Sequence, residues 1–381
     1  MIVTKLSSDI DKKAILKKVG STKEGASIMI EKMQMHYFYI KDLRTPAANI
    51  LKQDALSIGA ELAVEKDTIL CKTPLVDALL IATEKQLKIL AKKELAQPFG
   101  LKELAKSLKT HLREKISIPK IMGVLNVNED SFFDKSRTGK NSIALQIEKM
   151  IEEGADIIDI GAVSSRPGAK SVAEEIELQR LKPIIDIIYS QGYASKVRFS
   201  IDSYMSKPIA YALKNGFTII NDITGLASDE VCKLASEYDA SVVLMHMQGT
   251  AEDMQKNPTY ADVIDEVDTF FASRLEKAAQ FGIKDVILDI GLGFGKSLEH
   301  NLLLLKHLGH FKHFNKELLV GASRKSMIDM IQKTPINERL PATLALHLKA
   351  IEEGASYIRV HDVKEHQQVL SVYNALNKTT L

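Results

Sequence analysis

The sequence is poor in cysteine, in net charge and in long apolar runs, and each absence excludes a class of protein. Only Cys71 and Cys232 occur among 381 residues, far apart and in no C-x-x-C, which excludes a disulfide framework and a cysteine zinc site. The 51 basic and 49 acidic residues nearly cancel, so neither nucleic acid nor a membrane surface is indicated as a partner. Residues 1–9 contain no apolar signal segment, and no run approaches the roughly 18 apolar residues of a membrane span. We therefore expect a reduced, cytoplasmic protein.

Two nucleotide-binding signatures are also absent. Residues 286–297 read VILDIGLGFGKS, and the loop resembles a P-loop, yet Ile290 stands where G-x-x-x-x-G-K-[ST] requires glycine. The segment that begins at Gly123 does not continue as G-x-G-x-x-G, which disfavours a dinucleotide-binding sheet. What remains is a short apolar run, then Asp289 and a glycine loop, which is typical of a ligand site at the mouth of a βα unit.

Residues 1–115 differ in pattern from the rest and predict a small α+β accessory or interface domain. A strand is predicted over residues 35–40, and helices are predicted over residues 46–61, 74–82, 84–95 and 100–111. This part of the sequence contains no catalytic constellation.

Residues 116–381 alternate regularly between strand and helix patterns and predict a TIM (β/α)8 barrel. Strands are predicted over residues 120–127, 156–160, 197–201, 218–222, 241–245, 286–290, 317–321 and 357–360. Gly154, Gly216, Gly282 and Gly354 each precede a strand, where a left-handed glycine can end the preceding helix. Eight such units favour a closed barrel over a doubly wound sheet, which more often has five or six strands.

Each predicted strand ends in polar residues, and the carboxyl ends of barrel strands meet at one mouth. These endings are Asn126, Asp159, Asp202, Asn221-Asp222, His246, Asp289, Ser323-Arg324-Lys325 and Arg359 with His361-Asp362. One Asp or Asn after a strand is commonly a helix cap or a turn residue, but eight polar endings together predict a ligand site.

The residue types at the mouth indicate a ligand with two chemically different halves. Carboxylates and an amide in an apolar pocket suit a flat heterocycle with several N–H donors. Arg166, Lys325, Arg359 and His361 suit a phosphate or pyrophosphate group. The loops at residues 126–139 and 162–169 are long and polar enough to act as lids that exclude water.

Two histidine patterns do not clearly indicate a catalytic residue or a metal site. His246 ends a strand between two methionines, where packing and catalysis are equally plausible. His307, His310 and His313 follow one another at intervals of three but lack an HExxH motif, and neighbouring lysines suggest a solvated face rather than a metal site.

Several of these segments together resemble the dihydropteroate synthase family, in matching order and spacing over about residues 118–376. They are residues 122–127 (MGVLNV), 165–169 (SRPGA), 201–202 (ID), 221–222 (ND), 245–247 (MHM), 289–296, 323–326 (SRKS) and 359–362 (RVHD). The resemblance implies a TIM-barrel transferase, a sulfonamide target that makes 7,8-dihydropteroate for folate. Its reaction joins 6-hydroxymethyl-7,8-dihydropterin diphosphate to p-aminobenzoate and releases pyrophosphate. The N-terminal segment is similar to an extension found in a subset of the family.

The resemblance also implies site residues, a magnesium ion and a homodimer. Asp202, Asn221, Asp289 and Lys325 would bind the pterin, with Met247 packed on the ring. Asn126, Arg359 and His361 would bind the pyrophosphate, Asn126 through Mg²⁺. The p-aminobenzoate side would comprise Phe132, Ser165, Arg166, Pro167 and Ser326, and Asp130 would act from the first loop. Of these, Asp130, Arg166, Lys325, Arg359 and His361 would be catalytic.

The sequence departs from the family pattern in three loops. Val163 and Ser165 stand for Glu and Thr, Ile290 and Leu292 for Pro and Phe, and Asn128-Glu129 for Thr-Pro. Three other functions are less well supported: a pterin-binding methyltransferase with a corrinoid partner, a non-catalytic pterin-binding scaffold and a P-loop NTPase. The segments at 165–168 and 323–325 argue against the methyltransferase, and intact Asn126, Arg359 and His361 argue against the scaffold.

Overall fold

The computed structural model describes residues 3, 4, 6, 10–112, 119–127, 137–164, 168, 169, 172–250 and 252–379. The chain divides into two compact units, residues 1–114 with 372–381, and residues 115–371. The predicted domains, 1–115 and 116–381, stay a prediction, and the division differs from them in grouping residues 372–381 with the smaller unit. No helix in the described ranges is long and apolar enough to cross a bilayer.

The smaller unit is a three-stranded antiparallel sheet covered by helices. Its strands are β1 (Met35–Arg44), β2 (Glu61–Val64) and β3 (Leu75–Thr83), in the order β1-β3-β2. Its helices are α1 (Lys12–Lys18), α2 (Lys23–Ile30), α3 (Thr45–Ser57), α4 (Glu84–Lys93) and α5 (Leu101–His111). Leucines of α3, β2, β3 and α4 form one apolar core, which includes Leu51, Leu62, Leu80, Leu87 and Leu90.

The helix predicted over residues 74–82 is wrong, because this segment is the central strand β3. Its buried and more accessible positions alternate, as they do in a strand with one face on a core. The run LVDALLIA is apolar enough to fit either structure, and pairing with both β1 and β2 decides for the strand. The strand β2 was not predicted at all, since it is only four residues long.

The larger unit confirms the predicted barrel, which is closed by eight parallel strands. They are β4 (Lys120–Asn126), β5 (Ile157–Gly161), β6 (Arg198–Asp202), β7 (Ile219–Asp222), β8 (Ser241–Met245), β9 (Val286–Asp289), β10 (Glu317–Val320) and β11 (Tyr357–Val360). The helices are α6 (Arg137–Glu152), α7 (Glu174–Ser190), α8 (Ser206–Lys214), α9 (Asp229–Glu237), α10 (Val263–Gln280), α11 (Leu298–Lys306), α12 (Ser326–Ile331), α13 (Leu340–Glu352) and α14 (Val363–Lys378), of which the last begins in this unit and ends among the residues grouped with the smaller one. Gly154, Gly216, Gly282 and Gly354 all have positive φ where a helix gives way to a strand, as expected.

The side chains inside the barrel form layers, and the polar strand ends form the layer next to an apolar one, on the side of the mouth. One buried apolar cluster comprises Met122, Ile157, Ile219, Val243, Ile287, Leu319 and Tyr357. Side chains on a strand point to the same face every second residue. Two residues after cluster members stand Asp159, Asn221, Asp289 and Arg359. These polar side chains therefore form the next layer towards the mouth, above an apolar plug.

Candidate active site

One half-buried guanidinium group joins the ends of several strands. Arg359 donates from Nε to Asp159 Oδ2 and from Nη2 to Asp202 Oδ2, both at 2.6 Å. Asn221 donates from its amide nitrogen to the same Asp159 oxygen at 3.0 Å. Asp159 is fully buried, and Asn221 is 4% exposed. The predicted residues Asp202, Asn221 and Arg359 therefore belong to one hydrogen-bonded network in the mouth.

Burial and opposite charge act against each other in this network. Burial raises the pKa of Asp202 to about 6, the Arg359 guanidinium opposes that shift, and Asp159 adds to it. Burial alone would lower the pKa of Arg359, but the two carboxylates raise it above its usual value. Burial also raises the pKa of Asp289, although the Gly291 N–H donates to its Oδ1 at 2.8 Å. A ligand that donates hydrogen bonds to these carboxyl groups would therefore stabilise their charged forms.

An apolar floor lies beside these carboxyl groups. Its buried members are Ile223, Met245, Met254 and Phe294, with Tyr204 and Met247 packed against them. Lys325 Nζ lies 4.1 Å from the centroid of the Phe294 ring. The positive charge of Lys325 also acts to lower the pKa of Asp289. The predicted residues Lys325, Asp289 and Met247 therefore share one part of the mouth.

A buried lysine holds the loop between β9 and α11. Lys296 is 3% exposed, and its Nζ donates to Gly291 O and Phe294 O at 3.0 Å, and to His246 O at 3.2 Å. Its fourth contact is His246 Nδ1 at 2.9 Å. Because the ammonium donates inward to protein carbonyl groups, it is not placed to bind a phosphate as a P-loop lysine does. The P-loop interpretation is therefore excluded by the contacts of Lys296 as well as by Ile290.

This loop also packs so closely against the residues after β8 that Gly291 and Gly295 leave no room for a side chain. A Cβ added to Gly291 would lie 2.0 Å from His246 O, and one added to Gly295 would lie 2.3 Å from Gln248 O. Both glycines have φ close to 60°, a region that side chains disfavour. The loop glycines therefore serve close backbone packing, which brings Phe294 under Lys325.

The ends of β10 and β11 are tied together on the cationic side of the mouth. Ser323 Oγ lies 2.8 Å from His361 Nδ1 and accepts from the His361 backbone N–H at 3.3 Å. Arg324 pairs with Asp362 through Nη2 and Oδ1 at 2.6 Å. The backbone of Arg324 is left-handed, with φ of 58°, a conformation that non-glycine residues rarely adopt. These contacts fix Lys325 and His361 relative to each other.

The remaining predicted site residues divide into two groups. Asn126 at the end of β4 and Ser326 at the start of α12 are both exposed. Asp130, Phe132, Ser165, Arg166 and Pro167 lie outside the described residues, as does most of the first predicted lid loop.

Three residues near the site carry roles that sequence reasoning missed. The sequence marks Asp159 only as a polar strand end, yet it accepts from both Arg359 and Asn221. Phe294 supports Lys325, and Lys296 anchors the loop that carries Phe294. The period of two along β5 could have indicated Asp159, because it follows inward-facing Ile157. Nothing in the sequence indicates which carbonyl groups Lys296 meets.

The ambiguous histidines pack rather than form a reactive centre. His246 is 6% exposed and lies edge-on to Phe270, with ring centroids 4.9 Å apart. Burial and the Lys296 charge lower its pKa to about 3, so the ring stays neutral, with Nδ1 2.9 Å from Lys296 Nζ. His310 and His313 do not form the expected solvated face, since both are partly buried and contact Asp268 on α10.

A cavity of about 600 Å³ opens beside the network and shares Asp202 with it. Glu177 on α7 lines the cavity together with Tyr204, Met247 and Arg274. Glu177 is 2% exposed, and burial raises its pKa to about 7. The neighbouring charge of Asp202 acts in the same direction, while Ser203 donates to Glu177 and opposes it.

Residues 122–361 match the family model of pterin binding enzymes. The bifunctional dihydropteroate synthase/dihydropteroate reductase of Helicobacter pylori is 44% identical over 380 residues, which cover all of both chains. The chain belongs to the dihydropteroate synthase family. The dihydropteroate synthase of Escherichia coli is 43% identical over 265 residues, which cover 68% of this chain and 92% of that one.

Solved members of the family share the barrel. The Yersinia pestis dihydropteroate synthase, solved in complex with a sulfonamide drug, superposes with a TM-score of 0.64 at 36% identity. That match covers 70% of this chain and 97% of the other. The Xanthomonas albilineans dihydropteroate synthase, solved with 4-aminobenzoic acid, gives a TM-score of 0.63 at 34% identity, covering 69% and 94%. The predicted family, fold and transferase class are therefore confirmed.

Glu177→Gln should change how stability depends on pH. The folded chain keeps the Glu177 proton up to a pKa of about 7, whereas the unfolded chain releases it near 4.5. The stabilising contribution of the carboxyl group is therefore complete below pH 4.5 and is lost as the pH rises through 7. Glutamine cannot ionise, so between pH 5 and pH 8 the variant should gain about 2 kcal/mol relative to wild type.

Urea unfolding at both pH values measures this difference. Glu237→Gln, at an exposed position on α9, is the matched control and should follow wild type. Parallel pH profiles for Glu177→Gln and wild type would show that Glu177 ionises normally in the folded chain.

Lys296→Met should loosen the loop at residues 291–295 without unfolding the barrel. Methionine keeps the length of the side chain but leaves three buried carbonyl groups without their donor. We expect the free energy of unfolding to fall by about 2 kcal/mol. Amide hydrogen exchange in the loop should accelerate by at least about tenfold. Lys306→Met on the exposed face of α11 is the control, and equal exchange in both variants would contradict the anchoring role.

Proposed function

We propose that this chain joins 6-hydroxymethyl-7,8-dihydropterin diphosphate to p-aminobenzoate, giving 7,8-dihydropteroate and pyrophosphate for folate biosynthesis. The observation that carries the proposal is the composition of the mouth, where carboxyl groups beside an apolar floor adjoin a cationic edge. A pterin has an apolar plane and an edge of N–H donors, and its diphosphate ester is an anion. The match over residues 122–361 supports the same reaction.

The pterin would lie over the apolar floor with its donor edge against the carboxyl groups. We assign Asn221 and Asp289 to this edge because buried donors and acceptors require partners, and Asp202 because it belongs to the same network and lines the cavity. Lys325 would donate to a carbonyl or ring nitrogen of the pterin. Met247 would pack on the ring, next to Phe294.

The diphosphate would lie at the cationic edge. We assign Arg359 and His361 to it, with Arg359 using the nitrogen that neither Asp159 nor Asp202 engages. Asn126 offers an exposed amide oxygen on β4, which pairs with the strand that carries Arg359. One protein oxygen suits Mg²⁺, which keeps several waters and is held mainly by substrate phosphates. The ion, when bound, would neutralise charge on the leaving group.

The p-aminobenzoate would approach from the side of the loops. Ser326 is exposed at the start of α12, directly after Lys325, and could reach the carboxylate of this substrate. Phe132, Ser165, Arg166 and Pro167 are assigned to this side, and Asp130 to the first loop, on the resemblance to the family.

The chemical step is a displacement at the methylene carbon of the pterin. The C–O bond to diphosphate breaks, a C–N bond to the aryl amine forms, and the amine loses one proton to the released pyrophosphate or to solvent. Positive charge develops on the methylene carbon and is spread into the electron-rich ring. Arg359 and His361 stabilise the departing charge, and Asp202 and Asp289 hold the ring in place. No covalent intermediate with the enzyme is required.

We propose that the working protein is a cytoplasmic homodimer, as the family resemblance implies. Sedimentation of the purified chain tests the dimer, and a single monomeric species at assay concentration would refute it.

Purified protein should release pyrophosphate only when both substrates are present, and a sulfonamide should compete with p-aminobenzoate. Equal pyrophosphate release with the pterin alone would mean that water is the acceptor.

Lys325→Ala should weaken pterin binding by about 30-fold, because it removes a charged hydrogen-bond donor. Calorimetric titration with the pterin measures this change. Lys306→Ala, at an exposed position away from the mouth, is the control. An unchanged affinity of Lys325→Ala for the pterin would refute the role of Lys325.

A second activity, reduction of dihydropteroate, is favoured by one observation. The relative named as both synthase and reductase matches this chain over its whole length, residues 1–115 included. The match to the Escherichia coli synthase covers only 68% of the chain. Reduction would add a hydride and a proton across the C=N bond of dihydropteroate, with a reduced nicotinamide or flavin as donor.

The full-length chain incubated with dihydropteroate and either donor should form tetrahydropteroate, detected by chromatography. The Escherichia coli synthase under the same conditions is the control for non-enzymatic reduction. Absence of product with both donors would show that the chain does not reduce dihydropteroate with a nicotinamide or a flavin.

A further inference from the structure

Two buried histidines behind the mouth contact each other. His347 on α13 and His366 on α14 are each 1% exposed, and His347 Nδ1 lies 2.8 Å from His366 Nε2. At one end of the pair, the backbone N–H of Ala322 donates to His347 Nε2 at 3.0 Å. At the other end, His366 Nδ1 lies 2.6 Å from Asp362 O. The four groups form one continuous chain of hydrogen bonds.

The two ends of this chain fix the position of every proton in it. A backbone N–H can only donate, so His347 Nε2 is an acceptor and its Nδ1 carries the proton. His347 Nδ1 therefore donates to His366 Nε2. A carbonyl oxygen can only accept, so His366 Nδ1 carries the second proton. Burial lowers the pKa of both histidines, which keeps each ring neutral as this arrangement requires.

The chain connects the two segments that form the cationic side of the mouth. Ala322 immediately precedes Ser323, Arg324 and Lys325 after β10, and Asp362 immediately follows His361 after β11. The same segments are joined nearer the mouth by Ser323 with His361 and by Arg324 with Asp362. Further back, Thr343 Oγ1 accepts from the left-handed Arg324 backbone N–H at 3.1 Å. Helix α13 therefore supports the β10 loop from behind, and the histidine pair links that support to β11.

We propose that His347 and His366 are positioning residues that fix the distance between Lys325, which holds the pterin, and His361, which holds the diphosphate. This inference rests on the proposed function. Both histidines are buried and bond to the loops after β10 and β11, so each acts through the loop to which it bonds. Binding of the diphosphate ester needs both Lys325 and His361 at the right separation, so it should depend on the pair more strongly than binding of the free pterin. Most of the pterin contacts, those to Asp202, Asn221 and Asp289, lie on other strands.

The test compares the affinities of two ligands, 6-hydroxymethyl-7,8-dihydropterin and its diphosphate ester, for the full-length chain by calorimetry. In wild type the ester should bind more tightly. His366→Phe keeps a ring of similar size but removes both hydrogen bonds, and it should shrink the advantage of the ester by about tenfold. His366→Gln can accept from His347 with its amide oxygen and donate to Asp362 with its nitrogen, so it should retain most of that advantage.

Tyr193→Phe is the control for a general loss of stability. It removes a hydrogen bond from a buried side chain in the same unit, the one from Tyr193 to Glu148 at 2.7 Å. It should leave the ratio of the two affinities unchanged. If His366→Phe does not fold, His366→Asn replaces it, because the shorter amide cannot reach both partners.

The outcomes separate this inference from the proposed function. Equal affinity of wild type for both ligands would overturn the proposed function and this inference with it. A wild-type advantage of the ester that persists in His366→Phe, or that Tyr193→Phe reduces equally, would overturn the inference alone. Selective loss in the phenylalanine variant with recovery in the glutamine variant would support it.

Discussion

The mouth of the barrel depends on the ion pairs that Arg359 makes with Asp159 and Asp202. A guanidinium group buried without partners would be strongly unfavourable, and so would either carboxylate alone. The three side chains come from β11, β5 and β6, so their ion pairs hold those strand ends together. Asn221 joins them through Asp159. The ligand site is therefore built on ion pairs that form before any ligand binds, with two carboxylates facing one guanidinium group.

Around this network the site is assembled in layers with different physical roles. An apolar plug fills the barrel below it, and the cluster that contains Phe294 provides a floor beside it. Lys296 anchors the loop that carries Phe294 by donating to its carbonyl groups. Behind the cationic edge, neutral histidines connect the β10 and β11 loops. Rigid supports of this kind keep binding groups in position, which is the main requirement of a displacement that needs no covalent intermediate.

Membership of the dihydropteroate synthase family accounts for the barrel but not for the smaller unit. The barrel matches synthases that cover about two thirds of this chain, whereas the Helicobacter pylori protein matches all of it. The central strand of this unit, β3, was mistaken for a helix because its apolar run fits both periods over eight residues. Short apolar segments take the structure that their neighbours impose, and pairing with β1 and β2 is a contact between residues far apart in sequence.

The sequence by itself determined the barrel, because it contains eight short apolar runs separated by amphipathic segments, several of which end in a glycine. Eight such strand and helix units are typical of a closed parallel barrel. It also determined that polar strand ends meet, since parallel strands carry their carboxyl ends to one side. Only the tertiary structure decided which of those ends are partners. Asp159 and Arg359 are 200 residues apart, and Lys296 and His246 are 50 apart. Hydrogen bonds between such residues depend on strand stagger and loop packing, which local sequence patterns do not encode.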